Sequence, residues 1–221
     1  MAERLLPPSF LYRFSIPCRA HDLIGSDQGA KLSESFRLPH LASLDERPTW
    51  ADVRAGWHAE GLSFSVQVAG KRQPIWCRDS RIEDSDGFQV WIDTRDTHTV
   101  HRASRFCHRF AFLPLGSGRK LDEPLAVMLA INRARESPRP IVSGSLKVRC
   151  EQRVDGYSLE AYIPKSALTG FDPAEQPRLG FMYAVIDREL GWQTLSVGPE
   201  FPLLEDPSLW ATLELIANER R

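Results

Sequence analysis

Hydrophobic and polar positions alternate along several short segments of this 221-residue chain. The clearest segment is 62–68, LSFSVQV, in which every second residue is apolar. Successive side chains of a strand point to opposite faces, so a period of two predicts β-structure. Further segments have the length and composition of strands; they are 87–92, 105–113, 145–152, 157–163, 179–187 and 210–216.

Turn-forming residues separate these segments at short intervals. The chain has 16 prolines and 14 glycines, which leave little room for long helices. A short helical or 3₁₀ segment is predicted at 164–168, where proline opens PKSAL, and another is expected after Asp45. The sequence therefore predicts an all-β fold, an antiparallel β-sandwich with short helical turns.

Residues 1–49 have the weakest periodicity, and no internal repeat or low-complexity linker divides the chain. We expect an irregular N-terminal segment, residues 1–49, that packs as a wrap on a β-sandwich formed by residues 50–221. One domain is the simpler count for a chain of this length.

Charge and hydropathy exclude several classes of partner. The formal net charge is -1 and the pI is about 6.6, so neither nucleic acid nor an anionic membrane is an expected partner. No apolar run approaches the roughly 20 residues of a membrane-spanning helix. The N-terminus carries two prolines where a signal peptide needs a continuous apolar core. We therefore expect a cytoplasmic protein that binds a small molecule or a glycan.

The four cysteines are Cys18, Cys77, Cys107 and Cys150. They form no CxxC pair, which argues against a zinc knuckle or a thioredoxin-like motif. Two disulfides are the alternative for an exported chain. In a cytoplasmic protein free, buried thiols are expected instead, since unpaired cysteine behaves as a small hydrophobic residue.

Strand parity indicates which side chains share a face in the segment GFQVWID. Phe88, Val90 and Ile92 point to one side and are predicted core, which leaves Gln89 and Trp91 on the opposite side. In the next strand, RFCHRFAF, the phenylalanines and a histidine oppose Cys107 and Arg109. Pairing the two strands places an arginine beside Gln89 and Trp91, and the tryptophan of the preceding loop is expected to arch over this face. The residues of that predicted group are Trp76, Gln89, Trp91 and Arg109.

The order of the segments resembles a known family. An alternating strand and a tryptophan-bearing loop precede DSDGFQVWID, RFCHRFAF, GYSLEAYIPKSAL, RLGFMYAVIDRE and EDPSLWATLEL. This order is similar to that of the family 9 carbohydrate-binding modules and of the wider set of DOMON-like β-sandwich domains, over roughly residues 50–216.

The resemblance implies a sugar site in which two tryptophans grip the end of a sugar chain beside polar side chains. Trp76 and Arg109 match a binding tryptophan and the sugar-binding arginine of that pattern. Gln89 stands where the family has an acid, Ala184 where it has a polar side chain, and Leu204 where it has the second tryptophan. Trp192, in a neighbouring loop, is the candidate substitute for that tryptophan.

Two functions are compatible with these features, and a third is ranked below them. The first is a non-catalytic domain that binds a carbohydrate or similar polyhydroxylated ligand. The second is an intracellular structural or interaction protein that keeps the sandwich and has lost sugar binding. The third is a haem-binding electron-transfer module, for which no methionine lies in a recognisable ligand motif. The predicted ligand-binding residues are Trp76, Gln89, Trp91, Arg109 and Trp192. We expect no cofactor; ligand identity, oligomeric state and biological role stay open.

A metal site is the alternative interpretation of His98, His101, Cys107 and His108. On a strand, however, Cys107 and His108 point to opposite faces and cannot both ligate one ion without a bulge. Histidines solvated in the loop, and one beside the core, are the simpler interpretation.

The nearby acids Asp84, Asp86, Asp93 and Asp96 offer the paired carboxylates of a glycoside hydrolase. The alternative is that they shape turns by accepting hydrogen bonds from backbone N–H groups. No nucleophile motif such as G-x-S-x-G is present. We therefore predict that the protein is not an enzyme.

Overall fold

A computed structural model describes residues 6–21 and 31–217 of the chain. Within these residues, a helix of one turn at Pro8–Leu11 accompanies eleven strands. The strands are β1 (Ser15–Ala20), β2 (Ala51–His58), β3 (Gly61–Ala69), β4 (Gly87–Asp93), β5 (Cys107–Ser117), β6 (Glu123–Leu129), β7 (Lys147–Arg153), β8 (Gly156–Pro164), β9 (Arg178–Asp187), β10 (Gly191–Thr194) and β11 (Ala211–Ile216). The 3₁₀ turns are Glu34–Phe36, Leu41–Asp45, Asp79–Asp84, Lys165–Ala167 and Pro207–Leu209. The predicted all-β class is confirmed.

All of these strands belong to one hydrogen-bonded sheet. Its order is β6-β5-β4-β9-β11-β1-β2-β3-β8-β7, and β10 pairs with β9. β1 lies parallel to both of its neighbours, β11 and β2, whereas the other pairs are antiparallel. The end strands β6 and β7 contact each other, so the sheet is nearly closed. Two separate sheets, as in the predicted sandwich, are not confirmed, because β1 joins the two halves.

The core lies between the two halves of this sheet. The ring of Phe64 on β3 packs 5.4 Å from that of Phe88 on β4 and 6.1 Å from that of Phe181 on β9, measured between centroids. All three side chains are at most 1% exposed. Contacts between large aromatic rings from both halves hold the faces of the sheet together.

The seven predicted strands are all present, with small shifts in their limits. The 3₁₀ turn Lys165–Ala167 confirms the helical segment predicted at 164–168. The second predicted helical segment was misplaced, because the 3₁₀ turn ends at Asp45 instead of following it. β1 lies in the segment that the sequence predicts to be irregular, and the division at residue 49 stays a prediction. No helix in the described part of the chain is long and apolar enough to cross a membrane.

Candidate functional site

The predicted site residues of β4 and β5 share one face of the sheet. Trp91 lies opposite Arg109, and Gln89 lies opposite Ala111, in the antiparallel pairing of these strands. Residues directly opposite each other in such a pair point to the same side. The face that carries Gln89, Trp91 and Arg109 is therefore the one turned away from Phe88, as strand parity predicts.

The pairing of β9 extends this face toward Trp192. Ala184 lies opposite Gln89 on one side of β9, and Ile186 lies opposite Trp192 on the other. Ala184 and Ile186 are two residues apart on one strand, so their side chains point to the same side. Trp192, which is half-buried, thus belongs to the same face of the sheet as Gln89.

Arg109 is held by a dense set of contacts on this face. The side chain is 2% exposed, and its Cζ atom lies 5.1 Å from the centroid of the Trp91 ring. Nε and Nη2 donate to Gln89 Oε1 at 3.2 and 2.8 Å, and Nη1 donates to Glu83 Oε1 at 2.7 Å. Burial lowers the pKa of Arg109, opposed by the charge of Glu83. The guanidinium stays charged near neutral pH.

The 3₁₀ turn Asp79–Asp84 covers this part of the face. Gln89 Nε2 donates to the backbone oxygen of Glu83 at 3.2 Å, so Glu83 contacts the face through both its backbone and its side chain. Gln89 and Trp91 are only 1% and 0% exposed. The five-residue group predicted from the sequence is therefore split. Gln89 and Arg109 contact the chain's own loop and Trp91 is fully buried beside Arg109, whereas Trp76 and Trp192 are half-buried.

Trp76 is fixed by its backbone at the start of that loop. Its N–H donates to Asp86 Oδ2 at 2.9 Å, and its carbonyl accepts from the backbone N–H of Asp86 at 2.9 Å. Three guanidinium groups lie over its ring, with Cζ atoms 4.9 Å (Arg188), 5.4 Å (Arg78) and 6.0 Å (Arg81) from the centroid. Trp76 thus has a fixed backbone and an indole surrounded by cations.

A buried ion-pair group supports Trp76 from below. Lys71 Nζ lies 3.0 Å from Asp86 Oδ2 and 2.6 Å from Asp187 Oδ2, and none of the three side chains is more than 3% exposed. Burial disfavours the ammonium, but hydrogen bonds with Asp187 and Asp86 outweigh it and raise the pKa of Lys71. Asp86 Oδ1 also accepts from the backbone N–H of Arg188 at 2.8 Å. The Lys71 group therefore ties the Trp76 loop to the end of β9.

The sequence pattern singled out Asp86 as a candidate catalytic carboxylate or, in the favoured interpretation, a turn-shaping acid, and it did not point to Lys71. The hydrogen bonds that Asp86 accepts from backbone N–H groups match that interpretation. Asp93 behaves alike, accepting from the N–H groups of Arg95 at 3.0 Å and Thr97 at 2.7 Å. Burial raises the pKa of Asp93.

The histidines do not gather into a metal site. His108 Nε2 accepts from the backbone N–H of Thr169 at 2.9 Å within the core, and burial lowers its pKa to about 4. The ring is therefore neutral near pH 7. His101 contacts both Asp206 and Ser208, but through the same atom, Nδ1, so these three residues cannot relay a proton from serine to aspartate. No group of three or more His, Cys, Asp or Glu in the described ranges could hold a metal.

The cysteines are free thiols in this structure, two of them buried and two half-buried. Burial raises the pKa of Cys77 to about 12 and that of Cys107 and Cys150 to about 11. The thiolate is the nucleophilic form, so these side chains are protonated and unreactive at neutral pH.

Comparison with known proteins bears on the fold. The chain matches no family model and no curated protein. A family 9 carbohydrate-binding module from Caldicellulosiruptor kristjanssonii, solved with cellotriose, matches with a TM-score of 0.65 at 12% identity, over 93% of this chain and 95% of that chain. A family 9 module from the same organism, solved with glucose, matches with a TM-score of 0.63 at 13% identity, over 94% of this chain and 98% of that chain. A protein from Bacteroides uniformis matches with a TM-score of 0.55 at 11% identity, over 93% of this chain and 100% of that chain.

These likenesses extend over nearly the whole chain. The chain therefore has the fold of family 9 carbohydrate-binding modules, as the resemblance of its segments predicts. At such low identity the likeness defines the fold alone. The DOMON resemblance finds no support in these three structures.

Proposed function

We propose that this chain is a non-catalytic carbohydrate-binding domain whose site lies around Trp76. The observation that carries the proposal is a half-buried tryptophan whose backbone N–H and carbonyl are both held by Asp86, with three guanidinium groups over its ring. A tryptophan whose backbone is held in place loses less freedom when the apolar face of a hydroxylated sugar ring binds to it. The shared fold with modules solved in complex with cellotriose and glucose supports the same ligand class.

The remaining predicted residues take different roles in this proposal. Trp192 supplies a second aromatic surface on the same face of the sheet. Gln89 and Trp91 form the floor beneath the site, because both are buried. Arg109 contacts a ligand only if the Glu83 carboxylate moves away from Nη1; the Glu83 side chain is 58% exposed and so has room to move.

The second candidate function is an interaction protein that has lost sugar binding. The contact between Glu83 and Arg109 favours it, since the chain's own carboxylate occupies the arginine. A direct measurement of sugar binding distinguishes the two functions, because only the first predicts binding.

The test combines a glycan array with isothermal titration calorimetry against glucose and cellotriose. Trp76→Ala is expected to weaken binding by about 1 to 3 kcal/mol, the usual cost of removing an aromatic contact at a binding site. Tyr12→Ala, at an exposed aromatic side chain on the N-terminal segment, is the control and should bind normally. Circular dichroism should show both variants folded. Absence of binding to every glycan, or unchanged binding by Trp76→Ala, would contradict the proposal.

A further inference from the structure

We infer that the ligand at Trp76 is an acidic saccharide, whose carboxylate or sulfate is bound by Arg188 and Arg78. This inference rests on the proposed function and adds the charge of the ligand. It starts from the arginines that surround the indole, which neither strand alternation nor the family resemblance singles out.

The guanidinium groups crowd a single ring. Arg188, Arg78 and Arg81 all lie over Trp76, with Cζ atoms within 6.0 Å of its centroid. An indole has two faces, so at least two of the three cations share one of them. Each guanidinium is attracted by the ring, yet the like charges repel each other. A negative group placed between them relieves that repulsion.

The acids near this cluster already have donors of their own. Asp84 Oδ2 accepts from Arg81 Nε at 3.1 Å. Glu189 Oε2 accepts from the backbone N–H groups of Arg72 and Gln73 at 2.9 and 2.8 Å. Arg78 and Arg188 are both exposed, and neither forms an ion pair with a carboxylate in the described part of the chain. Within the cluster, only Arg81 forms an ion pair, with Asp84.

The buried Lys71 group does not neutralise these arginines. It has two carboxylates for one ammonium, but both carboxylates are buried and accept from Lys71 and from backbone N–H groups. The surplus negative charge of this group attracts the Arg188 guanidinium, but no carboxylate oxygen of the group accepts a hydrogen bond from it. Arg78 and Arg188 therefore keep their donors for a group from outside.

The chemistry of a stacked guanidinium favours an anionic sugar over a neutral one. Stacking uses the flat face of the group and leaves the N–H donors free along its edge. This edge matches the two oxygens of a carboxylate, or two of a sulfate. A sugar ring reaches the indole when one of the exposed arginine side chains, Arg78 or Arg188, turns aside from it. A uronic acid or sulfated residue then satisfies both parts of the site, because its ring contacts the indole and its anion contacts the guanidinium groups. The chain as a whole has a net charge of -1, so this local excess of arginine is not a general basicity.

The experiment compares matched neutral and acidic ligands. Glucose is paired with glucuronic acid, and cellotriose with a cello-oligosaccharide oxidised at C6 to uronic acids, in calorimetric titrations of the full chain. We expect the acidic member to bind at least about 10-fold more tightly at low salt, and the preference to shrink as added NaCl shortens the Debye length to about 3 Å near 1 M. Arg188→Gln and Arg78→Gln should each remove most of the preference. Arg149→Gln, at an exposed arginine of β7, should retain it.

The outcomes separate the two proposals. Equal binding of neutral and acidic members overturns the inference and leaves the proposed function standing. A preference for acidic sugars that both glutamine variants retain also overturns it, because the anion then binds elsewhere. If neither member binds and the glycan array is blank, the proposed function fails and the inference fails with it.

Discussion

Replacing Lys71 by methionine tests the buried ion-pair group that supports Trp76. The substitution keeps most of the side-chain volume and removes the ammonium that lies 3.0 Å from Asp86 Oδ2 and 2.6 Å from Asp187 Oδ2. Two carboxylates are then left close together with essentially no exposure to water. Their remaining partners are backbone N–H groups.

The expected loss of stability is large. Removing one partner of a buried ion pair costs about 3 to 5 kcal/mol, because the uncompensated charge stays out of water. A domain has about 5 to 15 kcal/mol of stability in total. At about 2 to 4 °C per kcal/mol for a chain of this size, the melting temperature should fall by about 6 to 20 °C.

Urea unfolding followed by circular dichroism measures the difference. Lys165→Met is the matched control, because Lys165 is exposed and forms no ion pair with any described residue. This variant should change the free energy of unfolding by no more than about 0.5 kcal/mol. In the Lys71→Met background, Asp187→Asn should recover part of the stability, because it removes one of the two repelling charges. A loss below about 1 kcal/mol for Lys71→Met, or no recovery in the double variant, would refute the reasoning.

Two further predictions concern stability. The pKa of His108 falls from its ordinary 6.5 to about 4 in the native protein, so the unfolded chain alone takes up this proton between those values. Stability should therefore decrease by about 3 kcal/mol as the pH falls from 6.5 to 4; His108→Gln, which can still accept from Thr169, should flatten this part of the urea-unfolding profile. At Gly156, φ is +155° and a Cβ atom would lie 2.1 Å from the Val68 carbonyl oxygen, so Gly156→Ala should cost more than about 2 kcal/mol. At Gly144, φ is +73° with no neighbour within 4 Å, so Gly144→Ala should cost only about 1 kcal/mol in a thermal melt; equal costs at the two glycines would contradict the proposed clash.

Strands with a clear period were predictable from the sequence, and four others were not. β1 is short, contains Pro17 and pairs only in parallel, so its alternation of buried and exposed residues stands out weakly. β6 reads EPLAVML, a continuous apolar run without alternation, because nearly all of its residues are partly covered. Periodicity reports which face of a strand is buried, and it fails where both faces are half-covered.

Strand parity was enough to predict which residues of the candidate site share a face, and nothing more about the site. Parity places Gln89, Trp91 and Arg109 on one face, and the pairing of β4 and β5 agrees. It cannot show that Glu83 covers them, since a loop has no period from which its path can be inferred. The contact of Lys71 with Asp187 could not be predicted either, because the two residues are far apart along the chain and the fold alone brings them together.

The position of β1 between β11 and β2 has a consequence for the order of events in folding. The middle of the sheet is completed only when β11 pairs with β1, and β11 is the last of the described strands to be synthesised. A nascent chain on the ribosome can form the β2–β3 and β7–β8 hairpins before β11 exists, but β1 lacks one of its two neighbours until β11 has been synthesised. Pairings between such distant segments form slowly, and an unpaired strand is open to association with other chains. A truncation that removes β11 would therefore open the sheet at its centre and leave an aggregation-prone product.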